Sequence, residues 1–252
     1  EDLRCRLTAR ATIKTRDWWD RYLKGVIRFR GVKMGDIRES ILGWHADHLA
    51  SAPLAVRLEL ALRLLREPLA EDKLAAILYL EEILIPEGQL EWPTVLHGIA
   101  AAFDDGFIAD WNTCDWLCVK ALSPLARQFG ESCARGISDW RTAANLWRRR
   151  ASGVAFVTMA KNGEVNFPGF TSMLLEVCAS TVSYPERFAQ TGTGWVLREL
   201  SIAERERVVE FIETNMKLFS KEGLRYAIAK LPESHQKAIL RRHGVVTRST
   251  PH

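Results

Sequence analysis

Lys73-Leu-Ala-Ala-Ile-Leu-Tyr-Leu80 joins one cation to seven apolar residues, and apolar positions continue at three- and four-residue spacing as far as Leu84. That spacing is the period of a helix with one face turned to a core. The same kind of segment returns in Asn145-Leu-Trp-Arg-Arg-Arg-Ala151, in Phe188-Ala-Gln-Thr-Gly-Thr-Gly-Trp195 and in Leu224-Arg-Tyr-Ala-Ile-Ala229. Each reads as the second helix of one in a series of helical hairpins.

Working outward, the helical period covers almost the whole chain. It predicts helices over 18–29, 37–49, 54–65, 73–84, 92–103, 111–125, 137–159, 173–182, 188–200, 205–219, 221–230 and 233–243. Turn residues separate them: Ser51-Ala-Pro53, Pro86-Glu-Gly88, Asp104-Asp-Gly106, Asn162-Gly163, Ser183-Tyr-Pro185 and Leu231-Pro232. Ser220, and Ser138 or Asp139, stand where helix N-caps belong. With the helix at Trp111 included, the segments step by about 35–45 residues, the period of HEAT-like helix pairs. Such a repeat cannot bury its apolar face alone, so neighbours stack. The expected fold is all-α: a curved solenoid of HEAT-like antiparallel helix pairs with a concave basic cleft. The second helices line the concave side. One domain is expected over residues 1–243, with 244–252 a disordered tail.

Composition bounds the class. A chain of 252 residues with 47% hydrophobic residues buries a sizeable core. No apolar stretch approaches the roughly 20 residues that span a bilayer, so no membrane association is expected. Glu1-Asp-Leu-Arg-Cys-Arg-Leu7 has neither an initiator methionine nor the apolar centre of a signal peptide. The expectation is a trimmed intracellular protein of cytoplasm and nucleoid, or of the nucleus in a eukaryote. The five cysteines are odd in number, loosely spaced and without a nearby histidine, which fits thiols in a reducing compartment. His45 and His48 lack a third ligand close by, so no metal and no cofactor are expected.

Net charge is only +4, but it is unevenly distributed. Residues 1–51 hold 11 Lys/Arg against 7 Asp/Glu, residues 52–110 hold 4 against 11, and residues 111–252 hold 20 against 13. Arginine outnumbers lysine 25 to 10, and a planar guanidinium suits phosphate. One basic and one acidic surface would orient the protein on a polyanion; charge blocks are also common on plain solvated faces.

Three further segments carry the chemistry: Asp110-Trp-Asn-Thr-Cys-Asp115, Asn145-Leu-Trp-Arg-Arg-Arg-Ala151 and Gly194-Trp-Val-Leu-Arg-Glu199. They supply an aromatic residue, an Asp four later, an Arg 35 after the Asp, and a second Trp. In that order and spacing the chain resembles the AlkD-like DNA alkylation repair family of HEAT-repeat DNA glycosylases. Weaker similarity covers Asp20-Arg-Tyr-Leu-Lys24 through Phe29-Arg-Gly-Val-Lys33 and Leu218-Phe-Ser-Lys221. The resemblance spans nearly the whole chain and is strongest over 108–230.

What it implies is hydrolysis of the N-glycosidic bond of alkylated purines in double-stranded DNA, by a monomer, at the start of base excision repair. An N3- or N7-alkyl purine is cationic and already a good leaving group, so little acid catalysis is needed. Asp115 would stabilise the oxocarbenium-like sugar and orient the attacking water. Trp111, one turn away, and Trp195 would pack on the deoxyribose, an indole face being attractive to positive charge. Arg150 would hold a neighbouring phosphate bidentately. Tyr22, Lys24 and Lys33 match positions that contact the DNA backbone, and Arg148 and Arg149 flank Arg150. The lesion would be handled without insertion into a base pocket, unlike in most glycosylases.

The residues also admit blander readings. Asp115 could be a surface charge, Trp195 core, and Arg148 and Arg149 a solvated face; Trp116 and Trp147 read as core and Arg198 as a structural ion-pair residue. Two further functions stay open: a non-enzymatic binder of damaged or branched DNA, and a protein-binding HEAT scaffold. Gln190-Thr-Gly-Thr-Gly194 departs from the family's more helix-favouring run, since glycine weakens a helix interior by roughly 1 kcal/mol relative to alanine. The expectation there is a loosened helix, an uncertain position for Trp195 and a wider cleft. The acidic 52–110 block is expected to weaken DNA contact at its end of the molecule.

Overall fold

A computed structural model describes residues 1–246. All regular structure among them is helical, apart from one isolated parallel bridge between Arg28 and Leu69. No helix among the described residues is long and apolar enough to cross a membrane. The chain forms two compact units, Glu1–Gln128 and the remainder from Phe129 on.

The first unit contains α1 (Asp2–Ala9), α2 (Ile13–Leu23), α3 (Met34–His48), α4 (Leu54–Leu64), α5 (Ala70–Tyr79), α6 (Trp92–Asp104) and α7 (Trp111–Leu117). Two of these continue without a break into π-helical turns, α5 into Leu80–Leu84 and α7 into Cys118–Leu122. Alternate helices stack: α1 on α3, α3 on α5, α5 on α7, with α4 against α5 and α6. At the centre, every residue of α5 is buried, Glu71, Asp72 and Lys73 included.

Burying three charges costs several kcal/mol unless each is partnered, and each is. The Glu71 carboxylate accepts the backbone N–H groups of Arg30, Gly31 and Val32 at 3.0, 2.8 and 3.1 Å. Arg30 reaches Asp72 at 2.8 Å. Lys73 Nζ donates to the Leu65 carbonyl at 2.8 Å, satisfying one of the orphan acceptors at the end of α4. The connection from Gly25 to Lys33 is thereby pinned onto α5.

That connection is where the predicted helix 18–29 differs most. The helix starts earlier, on a Thr12 cap that accepts the Thr15 N–H, and stops at Lys24 (φ 52°) and Gly25 (φ 73°). Phe29 therefore sits in extended chain. Gly31 (φ 102°) approaches so closely that a Cβ would meet the Thr12 carbonyl, while its own carbonyl accepts the Thr12 N–H at 2.9 Å. Helix α1 has no counterpart in the sequence-based series, because charged residues interrupt its apolar period; Leu3 and Leu7 bury its inner face.

The acidic block 52–110 is largely consumed inside this unit. Glu67 pairs with Arg4, Glu81 with Lys120, Glu82 with Arg38, Glu87 with Arg57 and Asp105 with Arg66. Together with buried Glu71 and Asp72, these acids are held by partners.

α8 (Ser123–Ser138) is broken at Gly130 (φ 69°, ψ −151°). In the second unit follow α9 (Leu146–Val154), α10 (Val157–Ala160), α11 (Phe170–Val182), α12 (Arg187–Leu200), α13 (Arg205–Thr214), α14 (Lys221–Ile228) and α15 (Glu233–Val246). Here α9 stacks on α12 and α12 on α14, with α11 packed on α9 and α12. Phe156, Phe170, Leu174, Leu197 and Leu224 are fully buried between them.

The predicted helix 137–159 is several pieces: the end of α8, a single 3-10 turn at Asp139–Thr142, then α9 and α10. Ser138 and Asp139 do not cap it; Asn145 does, accepting the Trp147 and Arg148 N–H groups at 2.9 and 3.0 Å. Ser220 does cap α14, accepting the Gly223 N–H at 3.0 Å. Ser220→Ala should lower the unfolding free energy by about 1 kcal/mol, checked by urea titration. Of the expected tail 244–252, Gly244–Val246 continue α15 and 247–252 lie outside the described residues.

Candidate functional site

In the first unit the candidate residues sit on α7. Asp110 caps it, its side chain accepting the Thr113 N–H at 2.8 Å. Burial pushes the Asp110 carboxyl above its usual range, against the opposing pull of that N–H and of the Lys73 charge. Lys73, desolvated in turn, is drawn down to about 8 while Asp110 and Asp72 act to raise it. These buried groups fix where the helix begins. Trp111 is its first residue and Asp115 lies one turn on, so both occupy one face.

Trp111 is half-buried. It packs against Leu23, Phe29 and Ala70, and Tyr22 meets it edge-on with centroids 5.5 Å apart. Asp115 is also half-buried. Its neighbour Trp116 is half-buried too, with Lys120 Nζ 5.9 Å from the ring centre. The π-helical turn that follows α7 widens the helix just past this pair; such bulges recur at functional positions.

In the second unit the three arginines of α9 differ. Arg149 is buried and committed internally: it donates to the Ala143 and Ala144 carbonyls, pairs with Glu186 at 2.7 Å, and lies 3.9 Å from the Tyr184 ring centre. Arg148 is half-buried, its guanidinium 5.4 Å from the Trp140 ring centre. Arg150 is 7% exposed, and its Nη1 donates to the Phe188 carbonyl at 2.7 Å. That contact exists because residue 192 has no side chain: a Cβ there would stand 2.9 Å from Arg150 Nη1.

The glycines before Trp195 therefore act in packing. The sequence reading expects them to loosen the segment, yet α12 runs unbroken from Arg187 to Leu200. Gly192 admits the Arg150 guanidinium. Gly194 faces α14, where a Cβ would meet the Gly223 carbonyl and stand 2.7 Å from Tyr226 Cβ. Gly223 in turn approaches the Gln190 carbonyl, where its own Cβ would stand at 2.9 Å. The buried polar residues of the segment are all bonded. Thr193 and Thr181 share a 2.7 Å hydroxyl contact. Gln190 donates to the Val182, Tyr184 and Leu218 carbonyls and accepts the Ser220 N–H. Trp195 is half-buried, with Arg198 at 6.0 Å from its ring centre; Arg198 pairs with Glu199 at 2.9 Å. Trp147 is half-buried against Phe188, centroids 4.9 Å apart.

A model of the DNA alkylation repair enzyme family matches residues 3–231. The chain belongs to that family. Among solved structures it is similar to a predicted DNA alkylation repair enzyme from Enterococcus faecalis, with a TM-score of 0.73 over 89% of this chain and 98% of that one. Sequence identity is 16%, so the likeness is one of fold. No curated protein matches the chain.

In this member of the DNA alkylation repair enzyme family, the remaining sequence candidates all fall on the first unit. Tyr22 is 51% exposed and stacks on Trp18; Lys24 and Lys33 are exposed, at the end of α2 and the start of α3. The histidines have other partners: His45 Nδ1 lies 3.0 Å from the Tyr79 hydroxyl and His48 pairs with Asp2. Cys114 and Cys118 are buried thiols in no disulfide, and no metal-holding group of three or more His, Cys, Asp or Glu occurs among the described residues. Sequence reading missed Lys14, Trp18 and Arg21, which join Lys33 around one pocket. Their i, i+4, i+7 spacing was the available signal. A helix start at Trp18, as the apolar period suggests, conceals it.

Proposed function

We propose that the protein is a DNA glycosylase that hydrolyses the N-glycosidic bond of cationic N3- and N7-alkyl purines in double-stranded DNA. The observation that carries this reading is the Trp111–Asp115 pair: a carboxylate and an indole on one helix face, both half-buried, at the positions the family resemblance singles out. A cationic purine departs readily, so the demand on the protein is to stabilise positive charge on the sugar and to orient a water. A carboxylate set beside an indole face meets both needs.

In this reading Trp111 packs on the deoxyribose, and Trp195 keeps the part that the family resemblance gives it. Arg150, its fork held in direction by the Phe188 carbonyl, takes a phosphate. Tyr22, Lys24 and Lys33 take backbone phosphates further along. We assign Arg149 to the frame, since its guanidinium is spent on two carbonyls and Glu186. Arg148 stays beside Arg150 as a supporting cation. The stacked alternate helices are read as HEAT-like pairs. The protein is read as acting inside the cell, as a monomer, at the first step of base excision repair.

The test is chemical. Incubated with methylated duplex DNA, the protein should free 7-methylguanine or 3-methyladenine and leave abasic sites; chromatography showing no free base contradicts the proposal.

A further inference from the structure

Helix α2 is mostly solvent-facing: Leu23 is its one buried residue. Lys14, Trp18 and Arg21 follow at i, i+4 and i+7 and so share a face. On that face Trp18 is 50% exposed, and Tyr22 lies parallel to it, centroids 5.2 Å apart at 14°. The rings form a continuous series. Trp19 meets Trp18 edge-on and stacks on buried Phe29, while Tyr22 meets Trp111. Trp18 also lines a pocket of about 480 Å³ with Thr12, Lys14, Thr15, Arg21 and Lys33. That volume falls within the roughly 300–1,000 Å³ of small-ligand sites.

Charge singles out the same place. Among the cations of residues 1–51, Arg4, Arg6, Arg10, Arg16, Arg30 and Arg38 all pair with carboxylates. Lys14, Arg21, Lys24, Arg28 and Lys33 are all exposed and take part in no ion pair among the described residues. Three of these five line the pocket beside Trp18. The positive excess of this stretch is thus concentrated around an exposed aromatic stack. Flat rings interleaved with uncompensated cations match the two halves of a nucleotide, a base with a π face and an anionic phosphate.

We infer that the Trp18–Tyr22 stack is a platform for an unpaired nucleotide of DNA. The base lies on the rings, and Lys14, Arg21 and Lys33 hold its flanking phosphates. The inference rests on the proposed function in taking DNA as the polyanion. It adds a contact with unstacked bases that a backbone-only grip does not have. The platform adjoins Trp111, so a strand opened at the lesion has a surface on which to rest beside the proposed sugar site.

The test is anisotropy of a short labelled oligothymidylate titrated with wild-type protein, Trp18→Ala, Trp18→Phe and the triple variant Lys14→Gln/Arg21→Gln/Lys33→Gln. The expected result is a weakening on the order of tenfold for Trp18→Ala, with most affinity kept by Trp18→Phe. The triple variant should show a shallower salt dependence, by about 0.7 in log–log slope for each phosphate that its side chains no longer neutralise. Circular dichroism checks folding, and the Phe and Gln variants keep the inference testable should Trp18→Ala misfold. Wild-type protein that does not bind the oligonucleotide, or equal affinities for all four proteins, overturns it. So does a Trp18-dependent affinity for phosphatidylserine vesicles in place of the oligonucleotide. Base release from methylated duplex reads Asp115 separately: release with no Trp18 dependence of single-strand binding sinks this inference alone.

Discussion

Asp115→Asn should slow base release from 7-methylguanine DNA by about two orders of magnitude or more, while duplex affinity changes only a few-fold. The substitution keeps the shape of the side chain and removes its charge. Electrostatic groups aimed at developing charge, and positioned bases, are each worth roughly 10²–10⁴ in rate. A carboxylate acting on the cationic sugar belongs to that class because its interaction grows as the glycosidic bond breaks, whereas ground-state binding comes chiefly from phosphate contacts. The loss should therefore appear in the single-turnover rate and not in Kd. A rate unchanged by Asp115→Asn at equal occupancy would remove Asp115 from the chemistry.

Gly194→Val should destabilise the protein by about 3 kcal/mol, a fall in Tm of roughly 6–12 °C. Two effects compete. Replacing a mid-helix glycine with alanine ordinarily gains roughly 1 kcal/mol of helix propensity. Here any Cβ runs into the backbone carbonyl of Gly223, with Tyr226 Cβ at 2.7 Å and the Ala227 nitrogen at 3.3 Å. Backbone atoms cannot rotate away, so α12 and α14 must separate, and overpacking outweighs propensity. Gly194→Ala therefore discriminates: destabilisation in a urea titration supports close helix contact, and a gain of about 1 kcal/mol refutes it.

The same glycines show where the sequence was readable. The three- and four-residue period located the stacking helices around Lys73, Arg150, Trp195 and Leu224, because that pattern records which faces are buried. Ser220 was legible as a cap because capping is local chemistry. Asn145 is not legible as a cap because apolar and aromatic residues on both sides of it mimic one continuous helical period from 137 to 159. By intrinsic propensity Gly192 and Gly194 make weak helix, whereas their reason is tertiary: one makes room for Arg150, the other for α14. Glu71, Asp72 and Lys73 look like surface charges in one dimension. Their partners Arg30, the 30–32 backbone and the Leu65 carbonyl are set by packing. Of the candidate site, the Trp111–Asp115 register was visible in the four-residue spacing. The internal commitment of Arg149 was not, since nothing local distinguishes it from Arg148 and Arg150.

The central claim is tested most directly by single-turnover kinetics with protein in excess over a duplex carrying one 7-methylguanine, free base quantified by mass spectrometry and occupancy checked in parallel. The account predicts one free 7-methylguanine per duplex from the wild-type protein, and release slower by about a hundredfold with Asp115→Asn. Duplex fully bound by wild-type protein with no base released, or identical release by both proteins, would contradict it.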